Sequence, residues 1–346
     1  MSALCRAVIV AGLLLVGPAA APAQNATAER PPAATITEGA QRSIDRGLAW
    51  LAGRQNDDGS FGSGAYRGNV GVCGLAGMAL ISDGSTPGRG RYGQQVQRAV
   101  DYILADTQPS GYIIEPNSTS RGPMYGHGFA TLFLAECYGM SARTELREKL
   151  SKAVKLIVNA QNREGGWRYY PIRHDADVSV TVCQVMALRA AHNAGLAVPK
   201  PTIDRATDYV KRCQNADGGF MYQLSVGGES RFPRSAAAIV ALYSAGIYQG
   251  PEIGKSLDYL MQFLPDPAAA RRENEYYEYG HYYAAQAFWH AGGPRWGRWY
   301  SAVRDEIVAR QLPNGSWMSI DSPEYATAMC LMVLQMPESQ LPIFQR

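Results

Sequence analysis

The stretch QNREGGWRYYP, residues 161–171, contains a short pattern that returns along the chain. Full or partial copies are QNDDGSF (55–61), QPSGY (108–112), QNADGGF (214–220) and QLPNGSW (311–317). The leading glutamines at 55, 108, 161 and 214 are 53 residues apart, and glutamines at 262 and 311 follow after 48 and 49 residues. A period of this length indicates a chain built from repeated supersecondary units.

Each unit contains two helical patterns. The first precedes the glutamine and is amphipathic, and it covers 40–55, 92–108, 144–161, 202–214, 250–262 and 296–311. The second follows the turn and is apolar almost all round, and it covers 69–81, 126–139, 178–191, 235–246, 280–293 and 325–336. A helix with one polar face lies at a surface, whereas a helix without one is buried. The sequence therefore predicts an all-α protein.

Six amphipathic helices that alternate with six apolar ones predict two concentric rings, with the apolar helices inside. An open solenoid needs polar capping units at its ends, but the first and last apolar helices are as apolar as the others. We therefore expect a closed α6/α6 (α/α) toroid in which unit six covers unit one. The repeated pattern becomes the turn between rings: glycine supplies left-handed backbone, and aromatic residues fill the gaps between outer helices, namely Phe61, Trp167, Phe220 and Trp317.

The first residues predict a secretory signal peptide. The short apolar core Ala7–Gly17 precedes the sequence APA at Ala21–Ala23, which is typical of a cleavage site. This core is too short to span a bilayer as a helix, and the alternative is an uncleaved anchor. Residues 24–37 are small, polar and proline-containing, which predicts a flexible linker. We expect a signal peptide at 1–23, a linker at 24–37 and one toroid domain at 38–346, in a secreted or periplasmic protein without a transmembrane span.

Charge and cysteine content narrow the functional classes. The formal net charge is +3 and no long basic cluster is present, so nucleic acid is not an expected partner. Five cysteines follow the predicted cleavage site, in spacings that fit no zinc pattern. Most lie inside apolar runs and are typical of small buried residues. A disulfide between Cys73 and Cys330 becomes possible if the ring closes, and we predict no metal and no cofactor.

The functional face should be the one with the outer-to-inner connections, because these are the longer ones and insertions in repeat proteins collect on the binding face. The same face carries the N-terminal ends of the inner helices, which direct free N–H groups and partial positive charge into the mouth. Polar and aromatic residues cluster at these ends: Asn69, Tyr125, His127, His174, Asp175, Asp177, Arg234, Ser235, Glu278, Tyr279, His281, Glu324 and Tyr325. They predict an aromatic-walled binding cavity.

Structural roles compete with these functional ones. Asp175 or Asp177 suits the N-cap of the third inner helix, a contribution of about 1 kcal/mol. Each histidine alone also suits a hydrogen-bonded structural position. Tyr282, Tyr283, Phe129 and Phe133 suit a filled barrel interior. The shared location of the residues, rather than any one of them, favours function.

The pattern Q-x-x-x-G-[GS]-[FW] resembles the turn repeat of prenyltransferases and of squalene or terpene cyclases, the α/α-toroid superfamily. The cyclases protonate an alkene with the middle acid of a D-x-D-D motif on an inner helix. The segment DADV at 175–178 resembles this motif, with Val178 in place of the last acid. The resemblance implies that Asp177 is a proton donor. In this reading we expect Asp175 to orient or tune the acid, and His127, on the neighbouring helix, to be its hydrogen-bond partner.

The resemblance also bears on ligands. Tyr125, Tyr279, Tyr282 and Tyr325 would shape a substrate cavity, together with His174 and His281 at its rim. Protein prenyltransferases of the superfamily bind zinc through an Asp-x-Cys pair and a histidine. Ser179 occupies the place of that cysteine, so the resemblance implies no zinc site here.

Three functions stay open at this point. In the first, the cavity binds an apolar or polyprenyl-like ligand, with acid-catalysed chemistry through Asp177. In the second, the toroid is a non-catalytic scaffold whose loop face meets another protein or a glycan. In the third, the barrel acts on polysaccharides, which requires paired carboxylates across a cleft; Asp177 with Glu278 or Glu324 are the candidates.

Overall fold

The computed structural model describes residues 34–116, 118–141, 143–265, 276–338 and 341–345. The predicted signal peptide and most of the predicted linker lie outside these residues. The described chain is all-helical, as the sequence predicts, with twelve α-helices. None of these helices combines the length and the apolar character needed to cross a membrane.

Odd-numbered helices form the outer ring and even-numbered helices the inner ring. The outer helices are α1 (Glu38–Gly53), α3 (Gly93–Ala105), α5 (Thr144–Ala160), α7 (Lys200–Arg212), α9 (Pro251–Met261) and α11 (Gly293–Arg310). The inner helices are α2 (Val70–Ser82), α4 (Pro123–Tyr138), α6 (Val178–Asn193), α8 (Phe232–Ser244), α10 (Tyr277–Ala291) and α12 (Pro323–Gln335). Every residue of α2 is buried, because a helix without a polar face has no surface to present to water.

The inner ring closes on itself. Each inner helix packs against the next one along the chain, and α12 packs against α2. The Gln335 side-chain amide donates a hydrogen bond to the Ala79 carbonyl at 3.2 Å, which joins the last inner helix to the first. In the outer ring, Gln311 Nε2 donates to the Ser43 carbonyl at 2.8 Å. The chain is therefore a closed α6/α6 toroid.

In four copies of the repeated pattern, the glutamine joins its turn to the following outer helix. Gln161 Nε2 donates to the carbonyl of Gly165 in its own turn at 2.7 Å and to the carbonyl of Thr202 on α7 at 2.8 Å. Three other copies repeat this arrangement: Gln55 with Gly59 and Gln95, Gln214 with Gly218 and Glu252, and Gln311 with Gly315 and Ser43. One amide thus satisfies two backbone acceptors that belong to different units.

The glycine of the pattern lies against the same neighbouring helix. Gly165 has a φ of +104°, and a Cβ atom added there would lie 2.2 Å from the Arg205 carbonyl oxygen of α7. The glycines at 59, 111, 218 and 315 also have positive φ values and face backbone carbonyls of the next outer helix in the same way. Only a residue without a side chain fits this backbone conformation and this approach.

The aromatic residue of the pattern is buried between the rings. Trp167 and Trp317 are 1% and 2% exposed, and each indole N–H donates to a carbonyl of its own outer helix, Ile157 and Ile307, at 2.7 Å. The Trp317 ring also approaches Gly47 on α1. The predicted filling of the gaps between outer helices is therefore confirmed for this turn.

The C-terminal segment packs across the barrel at the end opposite the turns. Leu341, Ile343 and Phe344 are buried, and Trp289 Nε1 donates to the Phe344 carbonyl at 3.0 Å. Glu136, in the last turns of α4, is also buried, and its carboxyl accepts the backbone N–H of Ile343. Burial raises the pKa of Glu136 to about 8, although the Ile343 hydrogen bond opposes the rise.

Two sequence-based expectations need correction. Residues 34–37 are not a free linker: Ala34 is fully buried, Arg304 donates to the Thr35 carbonyl at 3.0 Å, and Thr37 caps α1. The possible Cys73–Cys330 disulfide is not formed, since all five cysteines of the described residues are free and buried. Both cysteines lie on inner helices that touch, but as separate thiols in the apolar core.

Substitution of Gly165 by alanine should destabilise the fold more than the same change at Gly195. Both glycines have positive φ, but a Cβ at Gly195 meets nothing within 4 Å, whereas one at Gly165 collides with the α7 backbone. We expect Gly165→Ala to cost about 2 kcal/mol more than Gly195→Ala in the free energy of unfolding, measured by urea denaturation. Equal losses for the two variants would contradict this role of the turn.

The buried carboxyl of Glu136 should make stability fall as pH rises. Its folded-state pKa lies above its ordinary value, so the folded state holds the proton more tightly, and its contribution is lost as pH rises through about 8. In the wild type, the free energy of unfolding should fall by up to about 5 kcal/mol between pH 4.5 and 8.5 because of this group, and Glu136→Gln should remove that fall. Urea unfolding midpoints measured across this pH range check the prediction. The control is Glu148→Gln at an exposed position, which should keep the wild-type dependence of the midpoint on pH.

Candidate functional site

A large cavity opens at the N-terminal ends of the inner helices. Its volume is about 1190 Å³. Leu75 and Phe129 line it and lie between one and two turns into α2 and α4, so the deeper part is apolar. Described residues of the outer-to-inner connections border the mouth, as the sequence predicts.

Phenol side chains encircle the cavity above this apolar floor. Six of the eight tyrosines that line the cavity form what we call the tyrosine collar: Tyr66, Tyr125, Tyr169, Tyr222, Tyr279 and Tyr325. Tyr279 donates its hydroxyl to the Ser179 carbonyl at 3.1 Å, and Tyr66 donates to Asp321 Oδ1 at 2.6 Å. Three of the predicted cavity residues, Tyr125, Tyr279 and Tyr325, thus line the cavity.

Charged groups lie at the mouth in two sets. The cations are Arg121, Arg231 and Arg234, and the carboxylates are Glu115 and Asp321. Glu115 accepts from Asn69 Nδ2 at 3.1 Å and from the Val70 N–H at 3.3 Å at the start of α2. Both carboxylates are therefore already engaged by donors of the protein.

Asp177 is the N-cap of α6 and is completely buried. Its Oδ1 accepts the Val180 N–H at 2.8 Å, and its Oδ2 accepts the Tyr222 hydroxyl at 3.3 Å. The capping role that competed with function is therefore present. Asp177 is not part of the cavity lining; Tyr222, which is, stands next to its carboxyl.

Burial dominates the ionisation of Asp177. It raises the pKa of this carboxyl to about 6, against the opposing effects of the Val180 N–H, Arg168 and the Tyr222 hydroxyl. The group therefore changes its charge close to neutral pH. Perturbed ionisation next to a cavity is a common property of functional sites.

Arg168 connects the two acids of the DADV segment. Its guanidinium lies 3.6 Å from Asp175 Oδ2 and 3.6 Å from Asp177 Oδ2. It also lies over the rings of Tyr169 and Tyr222, at 4.5 Å and 5.3 Å from their centroids. Asp175 itself is partly exposed and does not line the cavity, so its contact with Asp177 runs through Arg168.

The structure does not bring His127 to Asp177. His127 is completely buried, and its Nδ1 accepts the Ile113 N–H at 3.1 Å in the connection before α4. Its Nε2 has no hydrogen-bond partner among the described residues. Burial lowers the pKa of His127 to about 4, so the ring is neutral. The expected hydrogen bond to Asp177 is wrong, because this face of α4 packs against the preceding connection.

The two other candidate histidines also lie outside the cavity. His281 is buried on the outer face of α10, where it stacks on Tyr277 at 4.0 Å and donates its Nδ1–H to the Tyr277 carbonyl at 2.9 Å. His174 is 83% exposed and pairs only with Asp175. The last predicted cavity residue, Tyr282, is fully buried one turn below Tyr279 and packs against Phe129 rather than lining the cavity.

The carboxylates considered for sugar chemistry are not displayed to the cavity. Glu324 is fully buried and accepts from Arg54 at 3.2 Å and from Ser63 at 2.9 Å, where unit six meets unit one. Glu278 does not line the cavity, and burial raises its pKa. Within the described residues, no three His, Cys, Asp or Glu side chains lie close enough to hold a metal ion.

Sequence reasoning missed Tyr169 and Tyr222, which stand between Asp177 and the cavity. Their hydroxyls lie 2.5 Å apart, and their positions differ by 53 residues. Both follow the aromatic residue of the repeated pattern by two positions, after Trp167 and Phe220. Two neighbouring units thus have a tyrosine at the same place after the turn, a signal that the repeat alignment contained.

Known proteins resemble the chain in sequence and in fold. Residues 48–264 match the model of the prenyltransferase alpha-alpha toroid domain. No curated protein matches the sequence. A solved structure of the type II terpene cyclase MstE from Scytonema, without ligand, is 15% identical with a TM-score of 0.60, over 87% of this chain and 100% of that one.

Two further solved structures contain ligands. An MstE variant in complex with geranylgeranyl dihydroxybenzoate has a TM-score of 0.59 and 14% identity, over 87% of this chain and 97% of that one. An inactive alpha-1,6-mannanase from Salegentibacter sp. HEL1_6, in complex with alpha-1,6-mannotriose, has a TM-score of 0.62 and 8% identity, over 86% of this chain and 98% of that one. At these identities the likeness concerns the fold alone. Because the family model covers more than half of the chain, this protein belongs to the prenyltransferase alpha-alpha toroid domain family.

Proposed function

We propose that the protein binds an elongated apolar, polyprenyl-like molecule in the central cavity, with the polar end of the molecule at the tyrosine collar. The observation that carries the proposal is the change of lining with depth, from phenols and charges at the mouth to Leu75 and Phe129 below. An amphiphile with an apolar tail matches this order. The cavity volume of about 1190 Å³ exceeds the range of about 300–1,000 Å³ that is usual for small-molecule sites, which leaves room for a long ligand.

The apolar floor supplies the affinity in this proposal. Each methylene of a ligand that moves from water into such a site contributes about 0.8 kcal/mol. The collar supplies orientation, because Tyr side chains combine an apolar ring with one hydroxyl. Aromatic walls by themselves also suit sugars, so the apolar depth is the feature that favours an isoprenoid over a glycan.

Direct acid catalysis by Asp177 receives less support than binding. A proton donor must reach the atom that it protonates, but Asp177 is fully buried behind Tyr222, and both of its oxygens already accept hydrogen bonds. Arg168 at 3.6 Å also favours the ionised carboxylate. We therefore propose ligand binding as the function and give Asp177 an indirect part in it.

The alternatives have less to support them. A polysaccharide-cleaving enzyme needs two available carboxylates that face each other, whereas Glu115 and Asp321 are engaged by protein donors. The mannanase structure binds mannotriose on the same fold, and this is a reason to include a glycan in the test. No feature of the described residues identifies a protein partner for the loop face.

We also propose that the protein is exported. The support is the apolar segment Ala7–Gly17 followed by Ala21–Ala23. The mature protein from a secreting host should begin at Gln24, and intact mass measurement and N-terminal sequencing check this. A chain that keeps residues 1–23 would contradict it and support the uncleaved anchor.

A tryptophan that fills the cavity should abolish ligand binding. Ser179 lines the cavity at the start of α6, and a large ring there would occupy the space of the ligand. We expect Ser179→Trp to weaken binding of geranylgeraniol by at least about tenfold, measured by titration calorimetry in detergent below its critical micelle concentration.

Lipid extracted from the purified wild-type protein and identified by mass spectrometry should contain an isoprenoid.

The matched control is Ser151→Trp, the same change at an exposed position of α5, which should leave binding unchanged. Unaltered binding by Ser179→Trp would place the ligand outside the cavity. Tighter binding of alpha-1,6-mannotriose than of geranylgeraniol would overturn the proposed ligand class in favour of a glycan.

A further inference from the structure

A chain of hydrogen bonds connects the buried carboxyl of Asp177 to the cavity. Asp177 Oδ2 lies 3.3 Å from the Tyr222 hydroxyl, and the Tyr222 hydroxyl lies 2.5 Å from the Tyr169 hydroxyl. Both tyrosines line the cavity, whereas Asp177 does not. Among the described residues, these hydroxyls hydrogen-bond only to each other and to Asp177.

The direction of this chain depends on the proton of Asp177, because each phenol has a single hydrogen to donate. An ionised Asp177 can only accept, so Tyr222 donates to it and Tyr169 donates to Tyr222. Tyr169 then has only lone pairs for a ligand. A protonated Asp177 can donate to Tyr222, in which case Tyr222 donates to Tyr169 and the Tyr169 hydrogen is free to point into the cavity.

We propose that Asp177 is a specificity-determining residue that sets the hydrogen-bonding direction of Tyr169. With Asp177 protonated, the collar donates to the head group of a ligand and favours acceptors such as ethers and carbonyls. With Asp177 ionised, it accepts and favours a head group with a hydroxyl. The choice of head group rests on the proposed function, whereas the reversal of the chain does not.

The surroundings of Asp177 allow both states. Its Oδ1 is occupied by the Val180 N–H, so a proton resides on Oδ2, the atom that faces Tyr222. Burial raises the pKa of this carboxyl to about 6. Burial, and next the charge of Asp177, raises the pKa of Tyr222 as well, so Tyr222 keeps its hydrogen while Asp177 titrates.

Few charges act on this carboxyl. The charged side chains next to it are Arg168, at 3.6 Å, and Asp175, which pairs with Arg168. The other titratable groups around it are neutral phenols and thiols on the neighbouring elements: Tyr125 on α4, Cys183 on α6, Tyr209 and Cys213 at α7, Tyr222, and Tyr279 on α10. Neutral neighbours leave Asp177 as the group whose charge changes near neutral pH.

The reversal can be measured without a ligand. In protein labelled with ¹³C at the tyrosine Cζ, the Cζ resonance reports whether the hydroxyl donates or accepts. We expect the resonances of Tyr169 and Tyr222, assigned from Tyr169→Phe and Tyr222→Phe, to move together with one midpoint near pH 6. Resonances that stay constant from pH 4.5 to 8.5 would overturn the proposal.

Asp177→Asn provides the decisive variant. Asparagine is as good an N-cap as aspartate, and with its Oδ1 on the Val180 N–H its amide nitrogen faces Tyr222 and donates. Both resonances should then stay at their wild-type low-pH positions at every pH. A titration that persists in Asp177→Asn would show that another group reverses the chain and would overturn the assignment.

Two matched probes test the effect on binding: geranylgeraniol, which donates and accepts, and its methyl ether, which only accepts. Between pH 5 and pH 8, the Kd of the ether should rise by about tenfold in the wild type, since Tyr169 loses its donor, while the Kd of the alcohol changes little. Asp177→Asn should bind the ether equally at both pH values, and Tyr169→Phe should lose the difference between the probes.

The outcomes separate the two proposals. If both probes bind with a pH-independent ratio of Kd values, the head-group selection is wrong although the cavity binds isoprenoids. If neither probe binds at any pH, the proposed ligand class is wrong, and the head-group selection falls with it. The reversal of the chain is decided in either case by the Cζ resonances.

Discussion

The toroid depends on one contact repeated from unit to unit, in which a turn glycine lies against the backbone of the next outer helix. At Gly165 the gap to the Arg205 carbonyl leaves no room for a Cβ, and the backbone is left-handed there. The amide of Gln161 then satisfies acceptors on both sides of the gap. Each unit therefore fixes the position of the next one, and the same amide of Gln311, bonded to Ser43, completes the circle.

This arrangement places the site at one end of the barrel. The turns bring every inner-helix N-terminus to the same face, while the segment at 341–345 packs across the opposite end. The cavity therefore opens among helix starts, whose free N–H groups need acceptors. Asp177 and Glu115 meet that need at α6 and α2, which explains why carboxylates at the mouth are engaged rather than available.

The behaviour of Asp177 shows how one side chain can hold a fold together and still tune a site. As an N-cap it is fixed by Val180, and as a buried acid it has a pKa near neutrality. Through Tyr222 and Tyr169, the protonation state of Asp177 sets the direction of hydrogen bonding at the cavity wall. Burial thus removes Asp177 from direct contact with a ligand without removing its influence on one.

The sequence by itself determined the architecture, because the repeat, the alternation of amphipathic and apolar helices, and the closed ring follow from local patterns. The predicted helix at 178–191, for example, is observed as Val178–Asn193. The face of the site was also predictable. The sequence did not predict which side chains point into the cavity. His127 and His281 lie at helix starts but face neighbouring elements. A helix start presents side chains in every direction, and only packing against other units fixes its rotation, so the tertiary structure alone decided that Tyr222 stands between Asp177 and the cavity.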